Sequence, residues 1–183
     1  MRPPAARPTS QERTFAREEI IVSKTDLRGH LTYANDVFVR VSGYTRRELL
    51  GRPHSLIRHP DMPRAVFRTL WDTVQSGDEI FAYVKNLAAD GSFYWVLAHV
   101  TPSTDAHGVP VGYHSNRRLP EPAAIRAVEP VYALLLAEEQ RHPTGNAAVD
   151  ASSALLRDWL DERRTTYDEW VWSVINAHEG GAR

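Results

Sequence analysis

Between Arg58 and Asp61 the chain sets an arginine, a histidine, a proline and an aspartate in succession. An arginine offers a rigid fork of donors that suits a pyrophosphate, and histidine and aspartate can hold ribose or ring groups. The same residues could instead form a surface salt bridge that fixes a loop, because ion-pair networks imitate ligand sites. Asn86 sits in an otherwise apolar stretch, so its amide needs partners, from the backbone or from a ligand. Arg117 shares strand alternation with Tyr113 and Ser115 and could point inward, although its place near a strand end favours solvent. Trp71 and Phe38 read as core rather than as ring-stacking groups. His54, His59 and Asp61 have the types for a metal set, but eight histidines in 183 residues make such clustering easy, and no metal ligand is assigned. There is no Gly-rich phosphate loop, no G-x-S-x-G elbow and no H-E-x-x-H, so no catalytic residue is assigned and an enzyme is not expected.

Composition narrows the classes. With 42% hydrophobic and 25% charged residues the chain can bury a core. The net charge of −1 offers no basic excess for nucleic acid. No apolar run reaches the ~20 residues of a membrane span, and the start M-R-P-P-A-A-R-P-T-S lacks the apolar centre of a secretory signal. A soluble cytoplasmic protein is expected. The absence of cysteine removes disulfides, iron–sulfur clusters, cysteine nucleophiles and any photochemistry through a flavin–cysteine bond.

The elements that must position these residues follow from periodicity and punctuation. Residues 18–25 and 30–33 read as a hairpin across Asp26-Leu27-Arg28-Gly29. Asn35 or Asp36 caps a helix that ends at Gly43, and Thr45 with Glu48 forms a capping box for a second short helix. Pro53, Pro60 and Pro63 leave residues 54–62 as a short helix or loop. Val66, Phe67, Leu70, Trp71 and Val74 mark the buried stripe of the next helix. Residues 80–87, 92–101 and 109–118 then form a three-strand meander, with Asp90-Gly91 as its first turn. Residues 92–101 are apolar on both faces, so both faces need a cover. One would carry a pocket. The other needs the C-terminal helix, the N-terminal segment or a second subunit. Residues 123–140 and 149–178 read as two helices, the second with a stripe through 156, 160, 167, 171 and 174. Its tryptophans Trp159, Trp170 and Trp172 suit packing within the subunit, or pairing with a second copy or a partner.

The motifs T-D-L at 25–27, Y-A-N-D at 33–36, F-V-x-V-S-G-Y-T at 38–45, E-L-x-G-x-P-H at 48–54, R-H-P-D-M-P at 58–63, V-K-N at 84–86, G-x-x-Y-W-V at 91–96 and G-Y at 112–113 carry a resemblance. The stretch 21–118 resembles a PAS domain, and more narrowly the FAD-binding PAS domain of bacterial aerotaxis receptors. The hexapeptide at 58–63 is the most specific part, and A-V-E-P-x-Y at 127–132 resembles the segment that follows the domain in those receptors.

The resemblance implies an α+β fold: a five-stranded antiparallel sheet with helices on one face, plus a C-terminal helical extension. Residues 1–17 would be a flexible tail, 18–119 the sensor domain and 120–183 the extension. It also implies FAD as a redox-sensing ligand, with Arg58, His59, Asp61 and Asn35 at matching positions and Asn86, Trp71 and Ile80 completing the candidate set. Ile80 stands where the family usually carries a tryptophan near the start of the first meander strand. Two alternatives stay open: a cofactor-free interaction or dimerisation module, and a haem-binding gas sensor. A homodimer and a signalling partner protein are expected, without nucleic acid or a membrane segment.

Overall fold

Alternating apolar residues and the glycine turns of the sequence settle into one sheet. The computed structural model describes residues 7–178. Its strands are β1 (Ile21–Thr25), β2 (Leu31–Ala34), β3 (Ile80–Leu87), β4 (Phe93–Thr104) and β5 (Pro110–Arg118). They pair antiparallel in the order β2-β1-β5-β4-β3, so the last strand is inserted between the first hairpin and the meander. Gly112 permits that insertion: a Cβ there would collide with the Thr25 carbonyl of β1.

Between β2 and β3 run α1 (Asp36–Ser42), α2 (Arg46–Leu49), a single 3-10 turn (His54–Ile57) and α3 (Arg64–Gln75). Asn35 caps α1 by accepting the Phe38 N–H at 3.0 Å, and Thr45 and Glu48 close the expected capping box of α2. The C-terminal part forms α4 (Pro122–Gln140), α5 (Gly145–Glu162) and α6 (Tyr167–His178). No helix among the described residues is long and apolar enough to cross a membrane.

Two expectations change. The helix expected over 149–178 is two helices, because Arg164 takes a left-handed φ of 52° and Thr166 starts a new cap. Its hydroxyl accepts the Glu169 N–H at 3.2 Å, while the Glu169 carboxylate accepts the Thr166 N–H at 2.8 Å. The stripe nevertheless survives the break: Leu156, Leu160, Tyr167, Val171 and Val174 are all buried. The expected N-terminal tail of residues 1–17 also differs where it is described. Thr9 donates its N–H to the Gly91 carbonyl, Gln11 and Arg13 exchange backbone hydrogen bonds with Phe93, and Phe15 is buried. Residues 1–6 lie outside the described residues.

Both faces of β4 are covered. Helices α1 and α3 lie on one side. On the other, Trp95 stacks on Tyr132 of α4, and Phe81 of β3 meets Trp172 of α6. Apolar residues of the sheet, α3 and the C-terminal helices form one continuous core.

Candidate functional site

Strand alternation sends one row from each of four strands toward α3. Val84 and Asn86 come from β3, Val96, Ala98 and Val100 from β4, Tyr113, Ser115 and Arg117 from β5, and Ser23 and Thr25 from β1. Facing them are Phe67, Leu70 and Trp71 of α3 and the segment from Pro53 to Arg58. The walls enclose a cavity of about 400 Å³. That lies within the roughly 300–1,000 Å³ of small-molecule sites. Gly29 shapes one corner: it has a φ of 78°, and a Cβ there would press the Trp71 ring at 3.0 Å.

The structure divides the expected site residues. Arg58, Trp71 and Asn86 line the cavity together. Trp71 stands edge-on to Tyr113 with ring centres 5.4 Å apart, and the Arg58 guanidinium lies 5.8 Å from the Phe67 ring centre. Asn86 is 3% exposed, and its backbone pairs with that of Arg58 beyond the sheet edge.

The rest of the hexapeptide turns away from the cavity. His59 is buried, accepts the Asp61 N–H through Nδ1 at 3.1 Å, and stands edge-on to Phe93. Its proton therefore sits on Nε2, which has no partner among the described residues. Asp61 binds the Lys85 ammonium at 2.8 Å, which holds its carboxyl low against the upward push of partial burial. Residues 59–61 thus strap the loop to β3 through Asp61 and to β4 through His59, and leave Arg58 at the cavity.

Asn35 lies off the cavity too. Its Oδ1 accepts the Val22 and Phe38 N–H groups, each at 3.0 Å, and its Nδ2 donates to the Ile20 carbonyl at 2.8 Å, so it ties α1 to β1. Ile80 is a buried core residue outside the cavity wall; its pairing partner Val100 supplies the wall there. His54, His59 and Asp61 do not converge, and no group of three metal-ligating side chains is found among the described residues.

Sequence reasoning placed Arg117 at the solvent. It is instead 2% exposed. Its Nε donates to Ser115 Oγ at 3.0 Å, and its Nη2 donates to Ser23 Oγ and, at 3.1 Å, to His54 Nε2. Its guanidinium lies 4.7 Å from the Phe38 ring centre. An arginine only donates, so His54 accepts at Nε2 and carries its proton on Nδ1. Burial, then the neighbouring guanidinium, pushes His54 down to about 3, so it is neutral at neutral pH. Two buried polar atoms of cavity residues, Arg117 Nη1 and Thr25 Oγ1, have no hydrogen-bond partner among the described residues. Arg28, Arg58 and Arg117 all line the cavity, and no aspartate or glutamate does. The signal for Arg117 was the alternation it shares with Tyr113 and Ser115. The burial signal came only from β1 and the 3-10 turn closing over it.

The His54 shift has a measurable consequence. The folded state resists protonating His54 while the unfolded state accepts a proton near 6.5, so stability is lost as pH falls from 6.5 toward 3. The slope from this group is at most about 1.4 kcal/mol per pH unit. Urea unfolding at stepped pH should show a shallower acid loss in His54→Gln, whose amide oxygen can still accept from Arg117. Parallel curves for the two proteins would refute the assignment.

Residues 31–117 match the family described as the PAS fold. Over 127 residues the chain is 43% identical to the aerotaxis receptor of Escherichia coli, covering 69% of this chain and 25% of that protein. Over 89 residues it is 32% identical to the nitrogen fixation regulatory protein of Klebsiella pneumoniae, covering 49% of this chain and 18% of that protein. The chain thus spans a quarter or less of these relatives. Among solved structures it resembles a light-oxygen-voltage domain with a TM-score of 0.53 at 20% identity, covering 67% of this chain and 87% of that one. It also resembles a PAS domain from Colwellia psychrerythraea with a TM-score of 0.50 at 19% identity, covering 54% and 84%.

Proposed function

Since residues 31–117 form a PAS domain, we propose that this chain is a sensor that binds a flavin, FAD, in its cavity and passes the ligand's redox state to its C-terminal helices and a partner protein. The observation that carries this reading is the cavity beside Arg58, cationic and apolar at once and free of carboxylates. A flat aromatic ring system with acceptor edges suits walls of valine, alanine and Trp71. Its acceptors suit the Asn86 amide and the orphaned N–H of Arg117. Arg58, half-buried, and Arg28, exposed, would meet the phosphates. A bound flavin supplies a redox couple whose state changes the charge and hydrogen bonding of its ring.

The chain's own residues would relay that change. β3 presents Val84 and Asn86 to the cavity, and Tyr83, next to Val84 on the same strand, meets the C-terminal helices. There the Tyr83 carbonyl accepts the Tyr132 hydroxyl of α4 at 2.8 Å, and Tyr132 stands edge-on to Trp170 of α6. A shift of β3 therefore reaches both helices through one hydrogen bond and one ring contact.

A cofactor-free interaction module would be better served by a filled pocket than by this one. Haem would need an unengaged histidine on the cavity wall, and His54 spends its Nε2 on Arg117. Purified chain incubated with FAD should show the blue-visible flavin absorption after removal of free ligand. Protein that stays colourless after reconstitution ends the flavin reading. Arg58→Ala should weaken binding about tenfold, the scale of one charge-assisted contact of about 1.4 kcal/mol, read from fluorescence titration.

A further inference from the structure

The cavity's arginines differ in one respect: Arg117 is fully buried, whereas Arg58 is half-buried and Arg28 exposed. Every hydrogen bond Arg117 makes within the described residues goes to a neutral acceptor: Ser115, Ser23 and His54. Its Nη1 has none, and one face of its guanidinium is sealed by Phe38. The groups facing it from the packed elements are Ser23 of β1, His54 of the 3-10 turn, Tyr94 of β4, and Ser115 and Tyr113 of its own strand. Burial raises the Tyr94 hydroxyl, which stays uncharged, and Arg117 itself falls only to about 10 and keeps its charge. A buried cation with no counter-charge is unfavourable unless something negative joins it. The polar shell built around Arg117 holds its position and leaves its charge unanswered.

We propose that Arg117 selects the charge of whatever ring the cavity binds, favouring the form with one more negative charge and so raising the ring's midpoint potential. The proposal rests on the flavin reading. In the simplest balance two electrons from an external donor enter the ring, which takes up fewer protons than electrons and keeps a negative charge against Arg117. Without the guanidinium, one proton accompanies each electron and the ring ends neutral. Arg117 acts as a positioning and tuning group and transfers no proton itself.

The two cases differ in how the potential follows pH. One proton per electron gives about 59 mV per pH unit, and one proton per two electrons gives about 30 mV. The FAD-loaded full chain, titrated with dithionite across neutral pH, should give a slope clearly below 59 mV. Arg117→Gln should restore the steeper slope and lower the potential, and Arg117→Lys should keep the shallow one. Rescue by lysine separates a charge role from a packing role. A 59 mV slope in the wild type overturns the proposal and leaves the flavin reading intact; so does a glutamine variant with the wild-type slope. If the glutamine variant does not fold, the wild-type and lysine slopes decide alone. A wild type that takes up no FAD overturns both.

Discussion

Trp170→Ala is expected to lower the unfolding free energy by about 3–5 kcal/mol, the range for deleting a buried aromatic ring. Trp170 is buried at the meeting point of three rings: Trp159 of α5 at 5.3 Å, Tyr167 of α6 at 5.7 Å and Tyr132 of α4 at 6.5 Å, each edge-on. Edge-to-face pairs at these separations add to the area they bury. Removing Trp170 opens a void that none of the three neighbours can fill without leaving its own contacts. Tyr132 is the sensitive one, because its hydroxyl is spent on the Tyr83 carbonyl and its ring must move to collapse the void. Urea unfolding should therefore show the large loss in Trp170→Ala, and only about 1 kcal/mol in Trp172→Ala, whose ring is 40% exposed and, among the described aromatic rings, meets Phe81. Equal losses in the two variants would show that the C-terminal helices are not anchored through this ring cluster.

Where the sequence was readable, it was so because local physics and tertiary packing agreed. The Asp90-Gly91 turn, the Thr45–Glu48 box and the alternation of residues 80–118 each specify an element within a few residues. The split at residue 163 had a signal of the same kind, Thr166 followed three residues on by Glu169. Periodicity hid it. Leu160 and Tyr167 are seven residues apart, close to two helical turns, so the stripe runs across the gap as if the helix did.

The cavity was half legible. Arg58, Trp71 and Asn86 sit on elements whose inward faces a period of 2 or 3.6 reveals. Asn35 was visible as a special residue, but a helix cap that also bonds a neighbouring strand has the same sequence appearance as a ligand contact. His59 and Asp61 show a third case. They follow Arg58 in one motif, yet strap the loop to β4 through Phe93 and to β3 through Lys85. Motif membership marks residues that must act together; only the fold separates the one that touches the cavity from those that aim it.

Arg117 failed for a different reason. Burial of a charge is decided by what closes over it, and here that is β1 and the 3-10 turn, some 94 and 63 residues away in the chain. No local pattern encodes that. The alternation with Tyr113 and Ser115 gave direction without giving depth.

Glu139 carries the second large expected effect. Helix α3 follows Pro63, which offers no side-chain cap, so its first N–H groups need an acceptor from elsewhere. The Glu139 carboxylate, on α4, accepts Arg64 N–H at 2.6 Å, Ala65 N–H at 3.3 Å and the Ser152 hydroxyl of α5 at 2.9 Å, and it is 8% exposed. A negative charge at a helix N-terminus also meets the positive end of the dipole. Glu139→Ala takes the acceptor from the Arg64 and Ala65 N–H groups at the start of α3 and removes the charge at its N-terminus, so a loss of about 2–3 kcal/mol is expected. Glu139→Gln keeps an acceptor oxygen without the charge, and about 1 kcal/mol is expected. Glu138→Ala is the control: among the described residues that carboxylate pairs with Arg141 and His142 near the surface, and removing it should cost much less than removing Glu139. The consequence extends past stability, because α3 also carries Phe67, Leu70 and Trp71. With its N-terminus released, that wall is free to shift, and ligand affinity should fall in the order glutamate, glutamine, alanine. Unfolding curves and fluorescence titration on the same three proteins test both halves. Affinity that ignores the substitution while stability falls would mean that α3 is held at the cavity by the sheet alone, and that the C-terminal helices report on the ligand through Tyr132 without Glu139.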